Sequence, residues 1–182
     1  MRALVVYESM YGNTHAVAID IAAGLGATQA VTLVPVSRAT PELVADADLI
    51  VAGGPTHLHG MSTASSRRMA AEAARKPGSG LAMDPDADGP GLRSWLARLG
   101  ARDVLAVSFD TRLGGVPVLT GRASRNISRL LIGHGCRLLV PPESFLVSKQ
   151  NTLLKGESAR ACSWGELIGE AARATYATDV LP

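Results

Sequence analysis

Aromatic side chains are scarce, with two Trp, three Tyr and two Phe in 182 residues. That leaves little for the stacking platforms that hold single-stranded nucleic acid. Cysteine is as rare. Cys136 and Cys162 have no C-x-x-C spacing and no ligand-rich neighbours, so they read as reduced thiols, not as a disulfide framework or a zinc site. Long apolar runs are missing as well. The run Ala3 to Tyr7 is typical, far short of a membrane-spanning helix. Neither charge dominates: 18 basic and 16 acidic residues leave +2, too small an imbalance to point to DNA or an anionic membrane. No Gly-Lys-Ser/Thr occurs, which excludes an ATP-hydrolysing P-loop. No repeat of solenoid or propeller period is present.

What is present is a core. Hydrophobic residues make up 47% and charged residues 19%, the mixture of a globular chain and not a disordered one. The length suits a single domain spanning 1–182. Met1-Arg2 and a short apolar run meet Glu8 and a Gly-Asn turn too early for a signal peptide, and the expected location is cytoplasmic.

Strand and helix signals alternate. Ala3 to Tyr7, Ala30 to Val36, Leu49 to Gly53 and Val104 to Phe109 are short apolar runs, as strands buried on both faces should be. Arg137 to Val147 is a fifth extended segment, broken by Pro141-Pro142. Between the strands, Thr14 to Leu25, Pro41 to Ala45, Ser62 to Arg75, Leu92 to Leu99, Gly121 to Gly133 and Glu157 to Ala174 carry helical signals. Residues 76–91, rich in Gly, Pro and Asp, read as a mobile surface loop. The alternation predicts a doubly wound α/β fold, a five-stranded parallel sheet with helices on both faces. Ligands in such sheets sit beyond the carboxyl ends of the strands. That singles out three loops: Glu8 to Asn13, Gly54 to Met61 and Asp110 to Leu119.

The first loop, Glu8-Ser-Met-Tyr-Gly-Asn-Thr14, is shaped for a phosphate. Ser9 and Thr14 supply hydroxyls, Gly12 permits a tight turn, and Asn13 tolerates unusual backbone angles. The free N–H groups and positive dipole end of the next helix point into it. The competing reading is a Ser/Thr-capped turn with no ligand.

Ser9-x-Tyr11-Gly12-Asn13-Thr14 resembles the FMN-phosphate loop of flavodoxin-like proteins, and its Ser-x-Tyr-Gly form is similar to that of NAD(P)H:quinone oxidoreductases. The likeness runs along the chain. Gly53-Gly-Pro-Thr-His57, Met61-Ser62, Gly91-Leu-Arg-Ser-Trp95, Phe109-Asp-Thr-Arg112, Pro142-Glu-Ser-Phe145 and Trp164-Gly165 resemble actinobacterial flavodoxin-family proteins. The resemblance implies strand order 2-1-3-4-5 and an FMN at the carboxyl edge, its phosphate on Ser9, Met10, Tyr11, Gly12, Asn13 and Thr14. It also implies that Pro55, Thr56, His57, Leu58, His59 and Gly60 line one side of the flavin ring. Phe109, Asp110, Thr111 and Arg112 would border the other side. His57, His59 and Arg112 would then bring positive charge to the ring. The bland readings are solvent-facing histidines and a local Asp110–Arg112 surface pair.

Two features depart from that picture. Flavodoxins commonly sandwich the flavin between a Trp and a Tyr, and these loops have neither. Trp95 and Trp164 fall on helical stripes and read as core. The run Asp84-Pro-Asp-Ala-Asp-Gly89 matches half a calcium loop, but its twelfth position is Trp95 where a bidentate Glu is needed. His57 and His59 lack a third ligand for zinc, and no metal is expected.

The leading functional expectation is an FMN-dependent oxidoreductase. Its flavin accepts a hydride or electrons from a small-molecule donor and passes them to a small acceptor such as a quinone. The first alternative is a flavodoxin-type electron carrier that docks to redox partner proteins. The second is a degenerate flavodoxin scaffold that acts as a binding or regulatory module without tightly bound FMN. No side chain is required as a nucleophile. Neither nucleic acid nor membrane insertion is expected, and a homo-oligomer is compatible with the sequence.

Overall fold

A computed structural model of the chain describes residues 1–116 and 120–179. Four long strands form the centre of one sheet: β1 (Arg2–Tyr7), β2 (Ala30–Pro35), β3 (Leu49–His57) and, after a short β4 (Gly60–Met61), β5 (Leu105–Leu113). β6 (Arg137–Leu138) and β7 (Glu143–Val147) complete it. The path is β2-β1-β3-β5-β6, with β4 on β3 and β7 on β5. β4 alone pairs antiparallel.

The doubly wound α/β class is therefore as expected, and the detail is richer. The sheet has seven strands, not five. The fifth lane is split: β6 pairs with Leu105 and Ala106, β7 with Phe109 to Leu113. Pro141 and Pro142, which have no N–H to give, stand between the two pieces. With the two pieces counted as one lane, the order of the five lanes is 2-1-3-4-5.

Helices cover both faces. α1 (Asn13–Gly26) and α6 (Glu157–Asp179) lie on one side. There Ala3, Val5 and Tyr7 of β1 pack with Val17, Ile21, Trp164 and Ile168. α2 (Pro41–Ala45), α4 (Leu92–Leu96) and α5 (Ala123–Gly133) lie on the other. There Leu4 and Val6 meet Val44, Trp95, Leu96, Ile127 and Leu131. The alternation along β1 is the two-residue period of a strand buried on both faces. Both tryptophans are core residues. α3 (Ala64–Ala74) starts on a capping box in which Thr63 and Ser66 satisfy each other's N–H groups.

Gly24 and Gly165 explain how α1 and α6 come so close. A Cβ on Gly24 would collide with the carbonyl oxygen of Cys162, and one on Gly165 with that of Ile21. The helices touch backbone to backbone at these two points.

The 76–91 segment has an irregular backbone, yet its middle is not a plain surface loop. Asp84 and Ala87 are buried. The Asp84 N–H donates to the Met10 carbonyl at 2.9 Å, and the Asp84 carboxylate meets His15 Nδ1 at 3.2 Å. Arg67 donates to the carbonyls of Ala87 and Gly89. The Tyr7 hydroxyl donates to Asp86 at 3.2 Å, while its ring stacks on His15 with centroids 4.4 Å apart. Burial and the neighbouring Asp86 carboxylate push the Tyr7 phenol up, so it stays a donor. Two of the three carboxylates of the calcium-like run, Asp84 and Asp86, are thus engaged separately by His15 and Tyr7. Among the described residues no group of three His, Cys, Asp or Glu could hold a metal ion.

Candidate cofactor site

The first loop turns where β1 ends. The Glu8 N–H donates to the Gly53 carbonyl at 2.9 Å, which ties the start of the loop to β3. Gly12 then takes φ +89°, a left-handed angle open to a residue without a Cβ, and becomes the N-cap of α1. The Gly12 N–H donates to Ser9 Oγ at 3.0 Å, so the Ser9 hydroxyl keeps its own hydrogen to give. Thr14 Oγ1 lies 2.7 Å from Thr111 Oγ1. That pair uses one of its two hydrogens and leaves the other. The Tyr11 hydroxyl donates to the Ala70 carbonyl at 2.8 Å, fixing the loop to α3. No side chain caps the start of α1, and its first turn holds no acid. The first N–H groups of α1 therefore have no side-chain acceptor, as an anion site requires.

The second loop is a hairpin. β3 runs to His57 and returns in β4, with Thr56 opposite Met61 and His57 opposite Gly60. Leu58 (φ +45°) and His59 (φ +75°) make the turn, at left-handed angles that side-chain-bearing residues rarely take. The tip is held from outside: His59 bridges to Gly121, whose missing Cβ admits the His59 backbone. His57 Nδ1 lies 3.1 Å from Ser66 Oγ, and burial pushes its imidazole down. His57 is thus neutral at neutral pH, not the cation expected of it.

The third loop starts later than the sequence suggests. Phe109 to Leu113 pair with β7, so Asp110, Thr111 and Arg112 are strand residues, all buried. Phe109 is fully buried under Gly53 and edge-on to Phe145, 6.3 Å between centroids. It is a core ring and flanks no ligand. Asp110 is equally buried. Its Oδ2 accepts from Thr56 Oγ1 at 3.1 Å and from the Ser124 N–H at 2.8 Å. Burial pushes its carboxyl up, against those hydrogen bonds. No surface pair with Arg112 forms. Instead Arg112 Nη1 donates to the carbonyls of Leu113 and Gly115 and to Thr120 Oγ1, at 2.9–3.1 Å. The last three residues of the expected loop, 117–119, lie outside the described residues.

A cleft of about 300 Å³ joins these parts at the carboxyl end of the sheet. From the first loop it takes Ser9, Met10, Tyr11, Asn13 and Thr14, with Gly12 as the turn beneath. From the second it takes Pro55, Thr56 and His57, and from the third Thr111 and Arg112. Leu58, His59, Gly60, Phe109 and Asp110 do not line it. Leu58 is 76% exposed at the hairpin tip. The Thr56 hydroxyl donates to Asp110 and accepts from the Ala123 N–H at 2.9 Å, so its hydrogen is already committed.

The structure adds lining residues that the sequence reading missed. Leu81 comes from the 76–91 segment, Leu113 and Val147 from the ends of β5 and β7, and Ser148, Lys149 and Asn151 from the turn after β7. Asn13 Nδ2 donates to the backbone carbonyl and to the side-chain oxygen of Asn151, at 3.0 and 3.2 Å. The turn is thereby fastened to the first residue of α1. The signal for it was available: Ser148-Lys-Gln-Asn-Thr152 is a polar turn at the carboxyl end of a strand. Among the described residues no Asp or Glu lines the cleft.

These residues fit a flavin mononucleotide. The uncapped helix start with free hydroxyl hydrogens suits a phosphate, and Pro55, Leu81 and Val147 offer apolar wall to a ring system.

No curated protein matches this chain in sequence. Several solved structures match its fold. A flavodoxin from the domain Archaea superposes with a TM-score of 0.65 at 17% identity, over 95% of this chain and 99% of that one. Oxidised flavodoxin 1 from Bacillus cereus gives 0.63 at 14% identity, over 93% and 98%. The rubredoxin oxygen:oxidoreductase of Desulfovibrio gigas gives 0.64 at 16%, over 97% of this chain but only 37% of that one. The sequence profile named flavodoxin matches residues 5–97. That half of the chain runs from β1 through the first two loops to the end of α4, and it makes this chain a member of the flavodoxin family, the FMN-binding electron-transfer flavoproteins.

Proposed function

We propose that this flavodoxin-family chain is an FMN-dependent oxidoreductase. It would take a hydride from NAD(P)H, or electrons from a protein donor, and deliver them to a small acceptor such as a quinone. The observation that carries this reading is the charge of the cleft. Among the described residues its wall holds Arg112 and Lys149 and no carboxylate. A carrier that finds its partner by charge usually presents one strong field around the flavin, whereas an uncharged or anionic small molecule is better served by this wall.

When bound, FMN supplies the redox chemistry. The chain's residues position it. The Ser9 hydroxyl and the open N–H groups of Asn13 and Thr14 would hold the phosphate, with Gly12 keeping the approach free of a side chain. Met10 and Tyr11 shape the loop around it. Pro55, neutral His57 and Leu81 would give the ring an apolar, uncharged surround and exclude water from its faces. Thr56 and Asp110 act behind them: Thr56 joins β3 to the start of α5 through Asp110, which keeps the second and third loops in register. Arg112 holds the third loop by its carbonyls.

One observation favours a carrier instead. Leu58 at the hairpin tip, Leu113 at the end of β5 and Val116 in the third loop are 76%, 49% and 60% exposed. Apolar surface at such places can serve protein docking.

Anaerobic mixing of the FMN-loaded protein with NADH or NADPH separates the two. The oxidoreductase reading expects the flavin absorbance to bleach without any protein partner and to return on adding a quinone. Bleaching by dithionite but by neither nicotinamide would put the carrier reading first.

A further inference from the structure

We propose that Lys149 is a phosphate-binding residue of this chain, a cation that supplements the first loop and makes FMN binding salt-dependent. The inference rests on the reading that the phosphate lies at the start of α1.

Three observations bring Lys149 to that place. The turn that carries it is tied to the first residue of α1, because Asn13 Nδ2 donates to both oxygens of Asn151. The turn is also stiff. The Ser148 N–H donates to the Thr152 carbonyl at 2.8 Å, the Gln150 N–H donates to Ser148 Oγ at 3.1 Å, and Asn151 takes φ +58°. Finally, Lys149 lines the same cleft as Ser9, Asn13 and Thr14. A lysine side chain is long enough to move its ammonium along that wall.

Charge accounting then selects its partner. Among the described residues Lys149 makes no ion pair, and no Asp or Glu lines the cleft. The other cation on the wall, Arg112, spends Nη1 on Leu113, Gly115 and Thr120. A phosphate dianion at the helix start would meet hydroxyls, N–H groups and the helix dipole, and Lys149 is the cation on the turn tied to that helix start, whereas Arg112 is held to the third loop. Lys149 supplies that charge as a mobile point cation, the role a lysine fills better than an arginine fork.

The test is flavin titration of the full chain after flavin removal, followed by fluorescence, with FMN and with riboflavin, at low and high salt. In Lys149→Gln, FMN should bind about two- to fivefold more weakly at low salt, the scale of a partly exposed charge pair. The gap should close at high salt, where such a pair is screened. Riboflavin, which has no phosphate, should bind the variant as it binds the parent. Lys149→Arg should restore FMN affinity and the salt slope. Unchanged FMN affinity in Lys149→Gln, or equal weakening for both flavins, overturns the proposal. The phosphate reading itself fails in a different way: the unsubstituted protein would bind FMN no more tightly than riboflavin, and Lys149 would lose its role with it.

Discussion

Asp110 illustrates what burial does to a single side chain here. The carboxyl is fully enclosed, and one oxygen, Oδ2, accepts from both Thr56 and Ser124. Burial wins over those hydrogen bonds and pushes its pKa up. The sign of the linkage follows. An acid that holds its proton longer in the folded state costs stability as pH rises from its unfolded pKa, about 4, through the higher folded value. Asp110→Asn keeps a carbonyl oxygen for Thr56 and Ser124 and has no proton to lose. Urea unfolding from about pH 4 to neutrality should therefore show the Asn variant gaining on the parent as pH climbs. Parallel curves would mean that the folded carboxyl titrates like a free one. Asp110→Ala, which strands the Ser124 N–H and the Thr56 hydroxyl, should cost about 1–3 kcal/mol near pH 4, a cost that shrinks as pH climbs because only the parent then loses stability. This residue also marks where sequence reading stops. A polar residue after an apolar run looks like the end of a strand, and nothing in Phe109-Asp-Thr-Arg112 says that partners on β3, α5 and the third loop await it. From the sequence the strand therefore ends at Phe109, which places that ring at the site and not in the core.

At the scale of elements, α1 and α6 meet backbone to backbone at Gly24 and Gly165. Gly24→Ala would drive a Cβ into the Cys162 carbonyl. Since that neighbour is backbone, the helices must part, and the expected loss is about 1–3 kcal/mol, typical of an overfilled core. A lowered urea midpoint with an unchanged m-value would show it, while Gly26→Ala, where an added Cβ meets nothing within 4 Å, serves as the control. A denaturation midpoint equal to the parent's would show that the helices can separate without cost. The elements themselves were largely legible. Strands buried on both faces announce themselves as short β-branched runs, and Val17, Ile21 and Leu25 set the helical face of α1 directly. The first loop was legible because a strand, a Gly-Asn turn and hydroxyls at a helix start are local features. The Leu58-His59 hairpin was not, because its residues are poor ones for left-handed angles. What holds it in place is Gly121, over sixty positions away in the chain. The turn carrying Lys149 was not legible because it follows the extended segment broken by Pro141-Pro142 and lies outside the loops after strands one, three and four.

Across the whole molecule, one ionic network joins the last helix to the sheet. Glu157 at the start of α6 accepts from the Leu146 N–H at 2.8 Å and pairs with Arg160, which also reaches Glu143 at 2.9 Å and lies over the Phe145 ring. Burial alone would raise the Glu157 pKa, but the hydrogen bonds from Arg160 and Leu146 outweigh it and hold the carboxyl below its ordinary value. An acid with a depressed folded pKa adds stability above its unfolded value, near 4.3, and loses it as pH falls through the folded one. The protein should then lose stability on acidification below about pH 4.5, and Glu157→Gln should flatten that part of the profile. An equally steep acid limb in the variant would assign the loss to other carboxylates. The split fifth lane has a consequence for the chain in crowded company. An open sheet edge is a template on which a second molecule can grow by strand addition. Here the outer lane offers two residues, then a gap with two consecutive prolines, then five residues, and the β2 edge ends on Pro35. An incoming strand would find no unbroken row of donors and acceptors on the outer lane, so the prolines that obscured this strand in the sequence also guard the fold against edge-to-edge aggregation.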